Sequence, residues 1–127
     1  MIEQLKPIRC YVSPAGNNKI ADWYEDLSVQ AQADTDEFIK LMRRTAEWKM
    51  PHYRTRLTNY KSLGELRWSS EKKEHRLVGY LKAGTFFALM GCTHKNNIYD
   101  PTDALDQAKT RKAYIEAGKA WTVEYDL

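Results

Sequence analysis

Four polar side chains in the second half of the chain have the chemistry to grip phosphate and to move protons. Arg67 and Arg76 carry planar guanidinium forks, which hold phosphate oxygens through two hydrogen bonds at once. His94 is the residue type whose ordinary pKa, about 6.5, suits proton transfer near neutral pH, and Lys95 beside it adds a cation. The sequence has no DxD, HExxH or CxxC pattern, so we expect no metal and no cofactor.

Each of these residues also has a structural interpretation. The two arginines can pair with Glu65 or Glu74, and His94 and Lys95 can form the polar end of a strand. A regular strand would place His94 and Lys95 on opposite faces, but a loosened strand end would let them act together. His52 and His75 are expected to face solvent or to lie beside a phosphate.

A basic, tyrosine-rich loop at residues 51–64 suggests contact with single-stranded RNA, because cations hold phosphates and aromatic rings stack on bases. Residues 40–82 carry twelve Lys/Arg against four Asp/Glu, within a net charge of +3 for the whole chain. The alternatives are a solvated basic surface and a loop whose tyrosines cover the core. The candidate RNA-binding residues are Arg54, Arg56, Tyr60, Lys61, Tyr80 and Tyr99.

Hydrophobic spacing, caps and turn residues predict the elements that must position these side chains. A loop follows Pro51, which stops the second helix. The tail, residues 118–127, is a C-terminal extension that forms either an edge strand or a loosely packed arm. The predicted elements are a strand at 7–12, a helix capped by Asn17 or Asn18, a helix from Ser28 to about Lys49, strands at 65–70, 75–82 and 85–93, and a helix capped by Asp100 with Pro101 in its first turn, running to about Ala117.

The order β-α-α-β-β-β-α predicts a single α+β domain over residues 1–127, with helices packed on one face of a small antiparallel sheet. Strand alternation directs Leu66 and Trp68 to the core. It leaves Arg67 and Arg76 on the other, open face of the sheet. Tyr80 is expected on that face as well.

Composition excludes several classes of protein. No run of about 18 apolar residues exists, so we expect no membrane span. The N-terminal residues MIEQLKPIRC contain no apolar signal core, which predicts a cytoplasmic location. The two cysteines, Cys10 and Cys92, lie in apolar runs and are predicted to be buried free thiols.

The stretch from Leu63 to Ala117 resembles the RelE/HigB toxin superfamily, in particular its phage-associated HigB-like branch. In that branch an ELR-type strand precedes a strand with an arginine, then an apolar strand ending in two basic residues, then a proline that opens a basic helix. This chain has Lys95-Asn96 where the branch has a Lys-Lys pair, and His94 lies just before it. The matching pieces are Glu65-Leu66-Arg67, Arg76, Phe86 to Thr93, His94-Lys95-Asn96, Pro101 and the helix DALDQAKTRKAYI.

This resemblance implies a RelE-like fold and the toxin of a type II toxin–antitoxin system, an mRNA interferase. The expected activity is metal-independent cleavage of ribosome-bound mRNA, in which an RNA 2′-hydroxyl attacks the adjacent phosphate. Arg76 would grip the scissile phosphate, Arg67 would position Arg76 or bind phosphate, and His94 and Lys95 would move protons. The expected partners are the ribosome, its mRNA and a cognate antitoxin, often a helix-turn-helix protein.

Two other functions share this fold. ParE-type relatives inhibit DNA gyrase by binding and cleave no RNA, and an inactive phage remnant would only bind its antitoxin. A generic RNA-binding module is a further alternative, since a basic surface alone would satisfy it. Fold does not decide among these functions.

Overall fold

A computed structural model describes residues 6–127 of the chain. These residues form three helices and seven strands, and the α+β class predicted from the sequence is confirmed. The elements are β1 (Ile8–Val12), α1 (Lys19–Glu25), α2 (Val29–Arg43), β2 (Tyr53–Arg54), β3 (Gly64–Ser70), β4 (Lys73–Lys82), β5 (Thr85–Lys95), β6 (Ile98–Asp100), α3 (Ala104–Glu116) and β7 (Trp121–Glu124).

The sheet is mixed and larger than predicted. Its strands lie in the order β2-β3-β4-β5-β1-β7, and β6 pairs with the far end of β5. The β3-β4-β5 meander is antiparallel, as the short connectors predict. However, β1 runs parallel to β5, so the expectation of a purely antiparallel sheet is wrong. This pairing requires the long crossover through α1 and α2.

The helices pack on both faces of the sheet, which corrects the prediction that they share one face. Helices α1 and α2 cover a core that includes Ile20, Phe38 and Leu66. Helix α3 covers a second core on the opposite side, where Ala104 and Ala108 pack with buried sheet residues. We call these sides the α1–α2 face and the α3 face.

Side-chain N-caps explain where helices α1 and α2 begin. The Asn18 side chain accepts hydrogen bonds from two backbone N–H groups of α1, and the Ser28 hydroxyl accepts one from α2. Helix α2 ends at Arg43, before the predicted end near Lys49. There the chain turns back, and the indole of Trp48 donates to the carbonyl of Met42 at 2.9 Å.

Helix α3 begins at Ala104 with Asp103 as its N-cap, so the prediction of Asp100 as the cap is wrong. Asp100 instead ends β6. The cause is a two-residue turn at Asn96 and Asn97, whose φ angles of 52° and 62° allow β5 and β6 to form a hairpin.

The C-terminal tail is part of the sheet. Strand β7 pairs antiparallel with β1, which decides between the two predicted states of the tail in favour of an edge strand. Arg9 reaches across β7, where its guanidinium donates to the Thr122 carbonyl at 2.7 Å and to the Thr122 hydroxyl at 2.8 Å. Beyond the strand, Tyr125 is buried beneath the guanidinium of Arg43, which also donates to the Tyr125 carbonyl.

Gly91 allows α1 to approach the sheet closely. A Cβ atom at this position would lie 2.3 Å from the ring of Trp23, a distance that real contacts do not reach. Cys10 and Cys92 are buried free thiols, as predicted, and burial raises the pKa of each to about 12. Within residues 6–127, no helix is long and apolar enough to cross a lipid bilayer.

Candidate functional site

Five polar side chains meet on the α3 face, at the end of the sheet where β6 joins β5. They are Glu65, Arg67, Arg76, His94 and Tyr99, and we call them the arginine–histidine site. The strand register brings them together, because Arg67 pairs with Arg76 across β3 and β4 and His94 pairs with Tyr99 across β5 and β6. Alternation along each strand then directs these side chains to one face.

The carboxylate of Glu65 lies at the centre of the site and is only 1% exposed. One of its oxygens, Oε2, lies 3.5 Å from Nε of Arg67 and 3.4 Å from Nε of Arg76. These are ion-pair distances without hydrogen-bond geometry. Its other oxygen, Oε1, accepts a hydrogen bond of 2.6 Å from the hydroxyl of Tyr99.

The two arginines differ in how far they reach solvent. The Arg76 side chain is 5% exposed, and its Nη1 donates to the backbone carbonyl of His75 at 2.9 Å and lies 3.8 Å from Glu74. The Arg67 side chain is 22% exposed. Arg67 can therefore touch a ligand directly, whereas Arg76 contributes its charge from beneath the surface.

His94 is held against Tyr99, with ring centroids 4.7 Å apart and the rings edge to face. Burial is the largest cause that lowers the pKa of His94, and the charge of Arg76 is the next. Arg67 and Arg54 lower this pKa further, while Glu65 raises it. The imidazole is therefore neutral at neutral pH and able to accept a proton beside a group of cations.

Two open depressions give solvent access to the site. A groove of about 450 Å³ reaches Arg67 and Arg76, and a cleft of about 1020 Å³ reaches His94. The groove is lined by Pro51, His52, Arg67, Trp68, Ser69, Glu74 and Arg76. The cleft is lined by Glu71, Lys72, Lys73, Glu74, Thr93, His94, Lys95, Asn96, Asn97, Ile98 and Asp100.

Lys95 follows His94 as the last residue of β5. Strand β5 stays regular to its last residue, where Lys95 pairs with Ile98 of β6. Alternation therefore directs Lys95 to the opposite side of the sheet from His94. Both residues nevertheless line the same cleft at this end of the sheet, so their joint action stays a prediction.

The predicted RNA-binding residues divide into three groups. Arg54 pairs with Glu65 in the sheet and so shares the α3 face with the site, as does Tyr99. Arg56 and Lys61 are exposed in the loop between β2 and β3. Tyr60 is half-buried, and its hydroxyl donates to Asp106 of α3.

Tyr80 cannot stack on an RNA base, which corrects the prediction for this residue. It is 8% exposed, its ring stacks on Phe87, and the Lys112 ammonium of α3 lies 5.0 Å from its ring centroid. The ring was assigned to the correct face, but α3 covers that part of the face.

His75 is buried, so the expectation that it faces solvent is wrong. It is 4% exposed and stacks on Trp68 in the α1–α2 face. His52, in contrast, is exposed and lines the groove beside Arg67.

Glu65 is the site residue whose central role the sequence analysis missed. The structure shows the pairing that was stated as an alternative, because both arginines face this glutamate. Its position two residues before Arg67 on a strand was an available signal, since residues i and i+2 share a face.

No group of three or more potential metal-ligating side chains occurs within residues 6–127. Comparison of the chain with protein-family models, curated proteins and solved structures finds no match.

Proposed function

We propose that the chain is an endoribonuclease that uses His94 as its base, and that it is the toxin of a toxin–antitoxin pair. The observation that carries the proposal is a histidine of lowered pKa on the same face as Arg67 and Arg76. A neutral imidazole next to guanidinium groups has the parts that RNA transesterification needs, a proton acceptor and a stabiliser of the charged phosphorane.

The reaction requires no metal. The RNA 2′-oxygen attacks phosphorus while its proton passes to His94, the bond from phosphorus to the 5′-oxygen breaks, and that oxygen takes up a proton from water. The products are a 2′,3′-cyclic phosphate and a 5′-hydroxyl end. Arg67, the more exposed arginine, contacts the phosphate, and Arg76 adds positive potential from behind it.

Substrate and partners follow from the RelE/HigB resemblance together with the surface charge. Arg54 is exposed beside Glu65, and Arg56 and Lys61 are exposed in the loop that follows, where these cations would hold the RNA backbone. We propose ribosome-bound mRNA as the substrate and a cognate antitoxin, of the helix-turn-helix kind, as the inhibitor.

One observation favours the non-catalytic alternatives. Arg76 is already engaged by Glu65 and by a backbone carbonyl, and alternation along β5 directs the Lys95 side chain away from the face of His94. A ParE-like gyrase inhibitor or an antitoxin-binding remnant would keep the same buried ion pair for stability alone. The test of the proposed function must therefore separate cleavage from binding.

The test compares growth and RNA ends after tightly controlled expression of the wild-type chain, His94→Gln and Arg67→Gln. Arg44→Gln is the control, because it removes an equal charge from the exposed end of α2, away from the site. New mRNA ends are mapped by primer extension, and 5′-hydroxyl ends are identified by their need for kinase treatment before labelling.

We expect arrest and new 5′-hydroxyl ends with wild type and Arg44→Gln, and cleavage at least about 100-fold slower with His94→Gln. Arrest with intact mRNA and inhibited DNA supercoiling would support the gyrase inhibitor instead. Absence of arrest would support the inactive remnant.

A further inference from the structure

Glu65 is placed where a carboxylate is costly unless charged groups surround it. It lies within β3 and is 1% exposed, and burial of an unpaired carboxylate is strongly unfavourable. Its surroundings compensate for this cost, since three polar side chains from three different strands converge on it. The carboxylate therefore links strands β3, β4 and β6.

The first role of this carboxylate is to hold two cations together. Arg67 and Arg76 are direct cross-strand partners, and like charges in that position repel. Oε2 of Glu65 lies within 3.5 Å of Nε of both residues. The same oxygen thus offsets the repulsion and restricts the orientation of both guanidinium groups.

The second role concerns the other carboxylate oxygen. Tyr99 donates to Oε1 at 2.6 Å, so the carboxylate cannot rotate without losing this hydrogen bond. The Tyr99 ring also contacts His94, the residue paired with it across the β5–β6 hairpin. One carboxylate therefore connects the two guanidinium groups to the ring that holds the imidazole.

We propose that Glu65 is the positioning residue of the site, which fixes the guanidinium groups of Arg67 and Arg76 and, through the Tyr99 hydroxyl, their placement relative to His94. This inference rests on the proposed ribonuclease function. Glu65 acts through these neighbours and does not itself touch the RNA.

The orientation of the arginines can be measured without RNA. In ¹⁵N-labelled protein, we expect resolved Nε–H signals from Arg67 and Arg76, because both Nε atoms are buried beside the Glu65 carboxylate. Glu65→Gln should broaden or average both signals, and Tyr99→Phe should weaken them less. If both signals are unchanged in Glu65→Gln, the positioning role is wrong.

The catalytic consequence is measured with an RNA substrate and with the same RNA carrying 2′-O-methyl groups, which cannot react. We expect Glu65→Gln to lower kcat by about 10–100-fold, because misplaced groups lose transition-state contacts. Tyr99→Phe should lower kcat by about tenfold. Affinity for the methylated RNA should change by less than about threefold in both variants.

The chain supplies a matched control on its other face. Tyr24 donates its hydroxyl to Asp36 at 2.9 Å, so Tyr24→Phe and Asp36→Asn make the same chemical changes away from the site. We expect both controls to keep the wild-type kcat. A kcat that falls equally in the controls, or that follows melting temperature across all four variants, would show that Glu65 acts only through stability.

Failure of the proposed function gives a different result. If the wild-type chain does not cleave RNA under any condition that produces arrest, the ribonuclease is wrong and Glu65 has no reaction to serve. The arginine signals then decide separately whether Glu65 orients the guanidinium pair. Tyr99→Phe keeps both measurements possible if Glu65→Gln does not fold.

Discussion

Arg67 and Arg76 face each other directly across strands β3 and β4, and both Nε atoms lie within 3.5 Å of one carboxylate oxygen of Glu65. The carboxylate of Glu65 therefore offsets the repulsion between the two facing guanidinium groups. The sequence places the two arginines nine positions apart, and their facing positions arise from the tight hairpin at Glu71 and Lys72.

We predict that Glu65→Ala destabilises the fold by about 3–5 kcal/mol, because it removes the nearest carboxylate from the buried Arg76 guanidinium and the acceptor from the Tyr99 hydroxyl. Glu65→Ala with Arg67→Ala should cost less than the sum of the two single changes, since one of the facing charges is then gone. Urea unfolding measures each variant. Glu116→Ala, which breaks the surface pair with Lys112, should change stability by less than about 1 kcal/mol. Strict additivity would contradict the prediction.

We predict that cleavage slows as the pH falls through the pKa of His94, because the protonated imidazole cannot accept a proton. This acid limb lies below pH 6.5, since burial and the nearby arginines lower the pKa. Arg67→Gln removes one of these charges and should move the limb to higher pH, whereas Arg44→Gln should not. Histidine NMR titration gives the same shift independently of activity. An acid limb that does not move in Arg67→Gln would count against His94 as the base.

We predict that the protein becomes less stable between pH 7 and pH 5 because of His75. This residue is 4% exposed, and burial lowers its pKa below 6.5. The unfolded chain therefore takes up a proton at higher pH than the folded chain does. The stabilising contribution is complete above about pH 6.5 and is lost as the pH falls towards the folded value.

The measurement for His75 is the urea midpoint as a function of pH. His75→Phe should reduce the slope but not abolish it, because His94 also has a lowered pKa and contributes in the same direction. An unchanged slope in His75→Phe would rule out this residue as the source.

We predict that Gly91→Ala destabilises the protein by about 1–3 kcal/mol, because the added methyl group would overlap the ring of Trp23. In a Trp23→Leu background the same change should cost much less. Thermal or urea unfolding of the four chains tests this coupling. Equal cost in both backgrounds would show that the contact with Trp23 is not the cause.

We predict opposite effects for two substitutions of Tyr125. Tyr125→Ala removes a buried ring from beneath Arg43 and should cost about 3 kcal/mol. Tyr125→Phe should be neutral or stabilising by up to about 1 kcal/mol, since the hydroxyl is buried without a hydrogen-bond partner among the described residues. A large loss of stability in Tyr125→Phe would show that the hydroxyl is satisfied in solution.

Local patterns in the sequence predicted the parts of the structure that local physics determines. Ser28 caps a helix because its hydroxyl satisfies a free N–H group, and Arg67 and Arg76 share a face because each alternates on its own strand with a core residue, Leu66 or Leu77. The polar side chain of His75 and the charged turn before it suggested that this residue faces solvent. Its position two residues before buried Leu77 would have placed it correctly in the core.

The remainder depends on tertiary structure. The placement of α3 depends on which surface of the sheet remains uncovered, and in the structure β4 is buried on both faces from His75 to Tyr80. The position of Lys95 depends on the Asn96-Asn97 turn, which keeps β5 regular to its end. The central role of Glu65 requires three strands to converge, and no single segment of sequence encodes that.

The contact between Arg9 and Thr122 has a consequence for the outer margin of the sheet. Tyr125 donates its N–H to Ile8, so by antiparallel alternation the carbonyl of Thr122 points away from β1, towards any strand that might add to the sheet. The Arg9 guanidinium already occupies that carbonyl. The charged Arg9 side chain therefore blocks an acceptor that an added strand would need, and a charge at an edge strand disfavours edge-to-edge pairing with another chain.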